Sequence, residues 1–140
     1  MLEKEEIYKT YFHGPAYQVL ERVEVLPDKA IGLMVHGLPA NSSPDDVASL
    51  MAPRLIEFCF QTAGMWEMVA RDVLALPEAI GTVTAYRQPA EAEGRRLYAV
   101  VTPVSDGEAF DARVIDEAGN VYVDMRGYRT VKLPSGMTLK

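Results

Sequence analysis

Two polar side chains, Glu57 and Gln61, stand four residues apart in the stretch Pro53–Arg71, which is otherwise dominated by Leu55, Ile56, Phe58, Cys59, Phe60, Met65, Trp66, Met68 and Val69. At 100° per residue this stretch is apolar nearly all the way round, which predicts a buried helix. Pro53 suits its first turn, where a missing N–H costs nothing, and Arg71 suits its end, where positive charge complements the dipole. The spacing puts Glu57 and Gln61 on one face. A carboxyl desolvated near a helix N-terminus is shifted toward its protonated form and can protonate a leaving hydroxyl at neutral pH, with the amide one turn later fixing its rotamer. The reading without chemistry is a carboxylate satisfied by a backbone N–H or by Arg54 one turn earlier.

Other reactive side chains are few. His36 ends an apolar run before Gly37-Leu38-Pro39, a place open to a base or to a histidine satisfied by backbone. His13, beside Gly14-Pro15, either tethers that turn or lines a pocket mouth. Cys59 is the single cysteine, so it forms no internal disulfide, and inside the predicted helix it reads as small apolar filler. With 140 residues, 49% of them hydrophobic, the chain fits one domain, residues 1–140, with a real core. A net charge of −6 without a basic cluster argues against nucleic acid as a partner, because phosphate binding is driven by Lys and Arg. MLEKEEIYKT lacks an apolar core of signal-peptide length, and no apolar stretch reaches membrane-span length, so the cytoplasm is the expected location.

The elements that must position these residues follow from periodicity. Residues 1–10 are charged and read as a frayed lead-in or short helical turn. Val19–Leu26 and Ala30–Leu38 read as strands joined at Asp28-Lys29, and Ser43 with Pro44 starts a short helix to Met51. The sequon-like Asn41-Ser42-Ser43 is read as accidental. After Arg71 the period becomes two, over Glu78–Gln88, Arg95–Val104, Ala109–Asp116 and Val121–Lys132. Phe110, Ala112 and Val114 alternate with Asp111, Arg113 and Ile115, and Val121, Val123 and Met125 with Tyr122, Asp124 and Arg126, so one face of the sheet is wet. Two strands, a helix apolar all round and four strands require a curved sheet rolled about the helix. The expected fold is α+β, the hot-dog architecture in the order β-β-α-β-β-β-β.

Pro53-Arg54-Leu55-Ile56-Glu57-Phe58-Cys59-Phe60-Gln61 resembles the helix motif P-x-L-L-D-A-x-x-Q/H of polyketide synthase dehydratase domains. Tyr11-Phe12-His13-Gly14-Pro15-Ala16-Tyr17 resembles their upstream turn Y-x-Y-G-P-x-F. Those domains are double hot dogs, and the resemblance covers essentially this whole chain but only their C-terminal half. It implies Glu57 as the catalytic acid, Gln61 as its orienting partner, His13 on the motif's second tyrosine, and matches at Pro15 and, aromatic for aromatic, at Tyr17, with Tyr11 opening the same turn. The acid is Glu where the polyketide family has Asp; single-hot-dog fatty-acid dehydratases use Glu, followed by an A-x-A-Q that Phe58-Cys59-Phe60-Gln61 partly echoes. The family's histidine segment, H-x-x-x-G-x-x-x-x-P, lies in the N-terminal hot dog and does not occur here, nor does the G-H-F-P of the single-hot-dog enzymes.

The resemblance therefore implies a lyase that dehydrates 3-hydroxyacyl thioesters of acyl carrier protein or CoA, without cofactor or metal, and with a partner half supplying the histidine. An acid or a base alone contributes only about 10² to 10⁴ in rate. A non-catalytic acyl-binding or interaction module and an acyl thioesterase, with Glu57 activating water, are the competing readings. Open sheet edges predict pairing with a second copy or with a partner hot dog.

Overall fold

A computed structural model describes residues 2–10, 18–35 and 53–132. The expected turn at 11–17, the strand end at 36–38 and the short helix at 44–51 lie outside these residues. The lead-in forms a two-residue strand β1 (Leu2–Glu3) and a helix α1 (Lys4–Thr10). It is anchored rather than frayed, because Ile7 is buried in the core. Strands β2 (Leu20–Leu26) and β3 (Lys29–Met34) form an antiparallel hairpin. Its turn is Pro27-Asp28, one residue earlier than the sequence suggested, since Lys29 already pairs with Leu26. The long helix α2 (Pro53–Arg71) is as expected, and β6 (Leu97–Val104), β7 (Ala109–Asp116) and β8 (Val121–Lys132) follow the period-two pattern.

The expected strand Glu78–Gln88 is two strands, β4 (Ala75–Ala79) and β5 (Thr82–Ala85). The reason lies in their partner. β8 bends at Gly127, whose φ of 68° belongs to the left-handed region that favours glycine. β4 pairs with β8 at Arg129–Lys132 and β5 pairs with it at Val123–Arg126, one on each side of the bend. Gly81 crosses at this point: its N–H donates to Gly127 O at 3.1 Å, and a Cβ there would fall 2.8 Å from Arg126 O. The sheet runs β1-β2-β3-β6-β7-β8-β4, with β5 beside β8. It is antiparallel throughout, curved and not closed, and α2 packs against β2, β3, β6, β7, β8 and β4. This is the hot-dog arrangement of a sheet wrapped on one helix.

Leu55, Phe58, Cys59, Ala63 and Met65 of α2 are fully buried, each large apolar side chain contributing about 2 kcal/mol. Burial pushes the Cys59 thiol up to about 12, with the Asp124 charge adding to it, so Cys59 is packing and not a nucleophile. The helix is fully exposed only over its last residues, where Val69 is 54% exposed, and its first turn is partly exposed. Arg71 lies over the Trp66 indole and donates to Gly107 O at 3.3 Å and to Asp106 O, tying α2 to the turn between β6 and β7. In that turn Ser105 and Asp106 themselves adopt positive φ.

The outer face is not uniformly wet. Tyr122, which strict alternation places there, is fully buried, because the β7/β8 register shifts between Val114 and Ile115 and Arg87 covers the ring. Its hydroxyl donates to the buried carboxylate of Asp116 at 2.9 Å. Asp116 also accepts from the Asn120 side chain at 3.0 Å, from the Asn120 N–H at 3.1 Å and from the Ala118 N–H at 2.9 Å, with Arg95 at 3.6 Å. These donors, the Asn120 side chain foremost, hold Asp116 down at about 2 against the opposing effect of burial. Glu67 of α2 is the contrary case. It is 5% exposed, accepts from Thr130 Oγ1 at 3.0 Å, and leaves Oε1 without a partner among the described residues. Burial raises its pKa, opposed by Thr130 and by the Arg71 charge.

These two carboxyls carry opposite pH signatures. Asp116→Ala is expected to lower the melting temperature by roughly 5–10 °C at pH 7. Because its folded pKa lies below the ordinary 3.8, the Asp116 contribution is complete above about pH 4 and is lost as pH falls toward about 2. The gap between wild type and variant should close over that window, and a constant gap in thermal melts would contradict this account. For Glu67 the raised pKa means that stability falls as pH rises through it, so Glu67→Gln should melt higher at pH 8, by roughly 2–4 °C, and converge with wild type near pH 4. A variant less stable than wild type at pH 8 would show that the Glu67 carboxylate is favourable.

Candidate active site

The first turns of α2 bring Glu57 and Gln61 together as the spacing requires. Gln61 Nε2 donates to Glu57 Oε1 at 3.1 Å. Gln61 is 2% exposed, whereas Glu57 is half-buried and not the fully buried carboxyl that an all-apolar helix implied. The difference follows from position: Glu57 stands where α2 begins, and residues 53–57 other than Leu55 retain some exposure. Arg54, the alternative partner for the carboxylate, leaves Nε and Nη2 buried without a partner among the described residues.

A third residue joins the pair. The Tyr8 hydroxyl, carried by α1, donates to Gln61 Oε1 and accepts from the Leu20 N–H at 2.9 Å. Burial, aided by the Glu57 charge, holds this phenol well above its usual range despite the backbone donors at Leu20 and Val19. Leu20 opens β2, and the register of β2 on β3 shifts between Leu20 and Arg22, where its N–H turns to Tyr8. Sequence reasoning missed Tyr8 because it lies in a charged segment; the one available signal was Ile7-Tyr8, an apolar pair among KEE and KT. It also passed over Thr62 and Glu67 as polar members of the helix. Thr62 is explained by its hydroxyl donating to Phe58 O at 2.8 Å.

Tyr11, His13, Pro15 and His36, the other residues singled out from sequence, lie outside the described residues. Among the described residues no group of three His, Cys, Asp or Glu side chains could hold a metal ion, and no helix is long and apolar enough to cross a membrane. Clefts lined by described residues include one of about 400 Å³ at Tyr86, Arg87, Arg113 and Asp124. Another, of about 340 Å³, opens at Glu67, Arg71, Arg129 and Thr130. Both are lined largely by charged or polar side chains, and neither includes Glu57 or Gln61. Glu57 is a carboxyl whose Oε1 is bound by an oriented amide, an arrangement that suits proton donation or acceptance.

A search of curated protein sequences finds no match. Among solved structures 74 chains match. The dehydratase domain from the CurK module of curacin polyketide synthase is 17% identical at a TM-score of 0.74, over 97% of this chain and 49% of that one. A trans-AT polyketide synthase dehydratase domain from Brevibacillus brevis is 21% identical at 0.75, over 95% of this chain and 48% of that one. The dehydratase domain from the CurF module is 20% identical at 0.72, over 94% and 48%. At these identities the likeness establishes the fold, and the chain spans about half the length of the structures it matches. A family model described as the polyketide synthase dehydratase N-terminal domain matches residues 7–139. That match runs from α1, which carries Tyr8, through α2 and all of the following strands, and by it this chain belongs to the polyketide synthase dehydratase family.

Proposed function

We propose that this chain is the acid-bearing half of a dehydratase that removes water from 3-hydroxyacyl thioesters, with Glu57 as the general acid. The observation that carries this reading is the hydrogen-bonded Glu57–Gln61 pair at the open end of the central helix, in a chain of this family. Glu57 would donate its proton to the C3 hydroxyl, which departs as water. A base would take a proton from C2, and the electron pair of that C–H bond would become the C2–C3 double bond. A backbone N–H at the site would polarise the thioester carbonyl. Gln61 would hold the carboxyl in one rotamer.

The base is assigned to a histidine on a partner hot dog. Two of the similar solved structures are described as inactive mutants of the CurK dehydratase, one with a histidine replaced by phenylalanine and the other with an aspartate replaced by asparagine. We place this chain at the carboxylate-bearing, C-terminal hot dog of such an enzyme. The family model is described as an N-terminal domain; the C-terminal placement is our reading and rests on the resemblance of Pro53–Gln61 to the helix motif of that half. An acyl carrier protein or CoA would present the substrate in the cytoplasm, and the open sheet edges would be covered by that partner half or by a second copy.

The test is an assay of dehydration of 3-hydroxybutyryl thioester, and of hydration of crotonyl thioester, by the chain alone and mixed with a histidine-bearing hot dog encoded beside it. Turnover is expected only in the mixture, where Glu57→Gln should lower kcat by about 10² to 10⁴. A mixture that turns over equally well with Glu57→Gln, or not at all with wild type, would end this reading. Light scattering should show a complex larger than one chain.

A further inference from the structure

Glu67 and Arg71 stand one turn apart on α2, the acid N-terminal to the base, which is the order that favours an ion pair on a helix. They do not pair. Both line the cleft of about 340 Å³ at the end of the helix. Glu67 is 5% exposed; its Oε2 accepts from Thr130 Oγ1 at 3.0 Å, and its Oε1 has no partner among the described residues. Arg71 turns instead to the segment between β6 and β7, where it donates to Gly107 O at 3.3 Å and to Asp106 O, with its guanidinium 5.5 Å from the centre of the Trp66 ring. It lies so close there that a Cβ at Gly107 would collide with it. That segment is strained, because Ser105 and Asp106 hold positive φ without being glycine. The Arg71 contacts clamp it.

We infer that Arg71 is a pH-sensitive latch: with Glu67 neutral it clamps the Ser105–Gly107 turn, and with Glu67 ionised it swings to Glu67 Oε1 and releases the turn. The exchange trades two hydrogen bonds to neutral carbonyls and a contact with one ring for a charge-assisted pair, terms of similar size. Burial sets the direction. It disfavours the charged carboxyl, so Glu67 ionises above the ordinary 4.5, and the carboxylate then formed has an oxygen that Thr130 does not serve. Around the same cleft stand Arg129 and Lys132 of β8, Glu78 of β4 and Glu108 just before β7, all exposed to water. Arg71 is the cation whose charge acts on Glu67. The latch operates whether or not Glu57 is a general acid.

Trp66 is the single tryptophan of the chain, so its fluorescence reports the guanidinium beside it. In the wild-type chain titrated from pH 4 to pH 8, Trp66 emission and the NMR amide resonances of Gly107 and Glu108 should change together, with one midpoint above 4.5. Glu67→Gln keeps the shape and removes the charge; it should abolish that shared step, leaving only steps that belong to the carboxyls of Asp106 and Glu108. In Arg71→Gln the turn resonances should lack the step, and the Glu67 carboxyl, followed by its own carbon resonance, should titrate about half a unit higher because its counter-charge is gone. Turn resonances that do not move with Trp66 in the wild type, or that keep the shared step in Glu67→Gln, would overturn the inference. So would an unchanged Glu67 midpoint in Arg71→Gln. If Arg71→Gln does not fold, the comparison of wild type with Glu67→Gln decides.

Discussion

The close approach of α2 to β3 at Gly32 is the contact on which the rest of the structure depends. A Cβ at Gly32 would fall 2.5 Å from Thr62 Oγ1, 2.8 Å from Leu20 Cδ2 and 3.1 Å from Phe58 Cε1. Only a residue without a side chain lets the helix settle this deeply into the sheet. The depth then fixes the site, because Gln61 precedes Thr62 on the helix and Leu20 is the residue whose N–H holds Tyr8. A helix standing off by one methyl group would draw Gln61 away from the Tyr8 hydroxyl. The packing contact and the hydrogen-bond chain are the same piece of geometry seen from two sides.

So deep a helix gains by pairing the polar groups it carries inward, since an unpaired one costs about 1–3 kcal/mol. Thr62 turns back to Phe58 O, Gln61 is held at both ends of its amide, and Trp66 Nε1 reaches Leu26 O at 3.0 Å. Glu67 is met only by Thr130, and at one oxygen alone among the described residues. The two carboxyls of α2 are thereby distinguished. Glu57 is half-buried and oriented by an amide, which is what its proposed role as general acid requires. Glu67 is buried and imperfectly paired, a cost to stability that stands apart from the Glu57–Gln61 pair.

Much of this was legible in the sequence because hydrophobic period reports burial directly. The helix Pro53–Arg71 and the strands ending at Asp116 and Lys132 stand where their patterns put them. What the pattern missed was set by contacts between segments distant in sequence. The break at Ile80-Gly81 is imposed by the bend of β8 at Gly127, 46 residues later in the chain, and Gly81 is its one local sign within Glu78–Gln88. Tyr122 is buried because a register shift and Arg87 override alternation. Tyr8 was hidden for a similar reason: a single phenol in a charged helix gains its meaning from Leu20 and Gln61, 12 and 53 residues away. Glu57 and Gln61, neighbours on one helix, needed no such long-range information.

The glutamate at this position, where the polyketide motif has aspartate, raises a physical problem that the same geometry answers. Glutamate has one more rotatable bond, so its carboxyl sweeps a larger volume and loses more conformational freedom when fixed. An acid that wanders delivers its proton poorly, because general acid catalysis depends on the donor standing within hydrogen-bond reach of the leaving group. Here the extra freedom is taken up by Gln61 on Oε1, and Gln61 in turn is held by Tyr8 and by the backbone of β2. The longer side chain thus reaches its position through a chain of three fixed hydrogen bonds. A shorter aspartate at 57 would place its carboxyl about one bond length back toward the helix axis and would loosen its hold on the amide. On the proposed reading of Glu57, the longer acid and the Tyr8–Gln61 arrangement form one device.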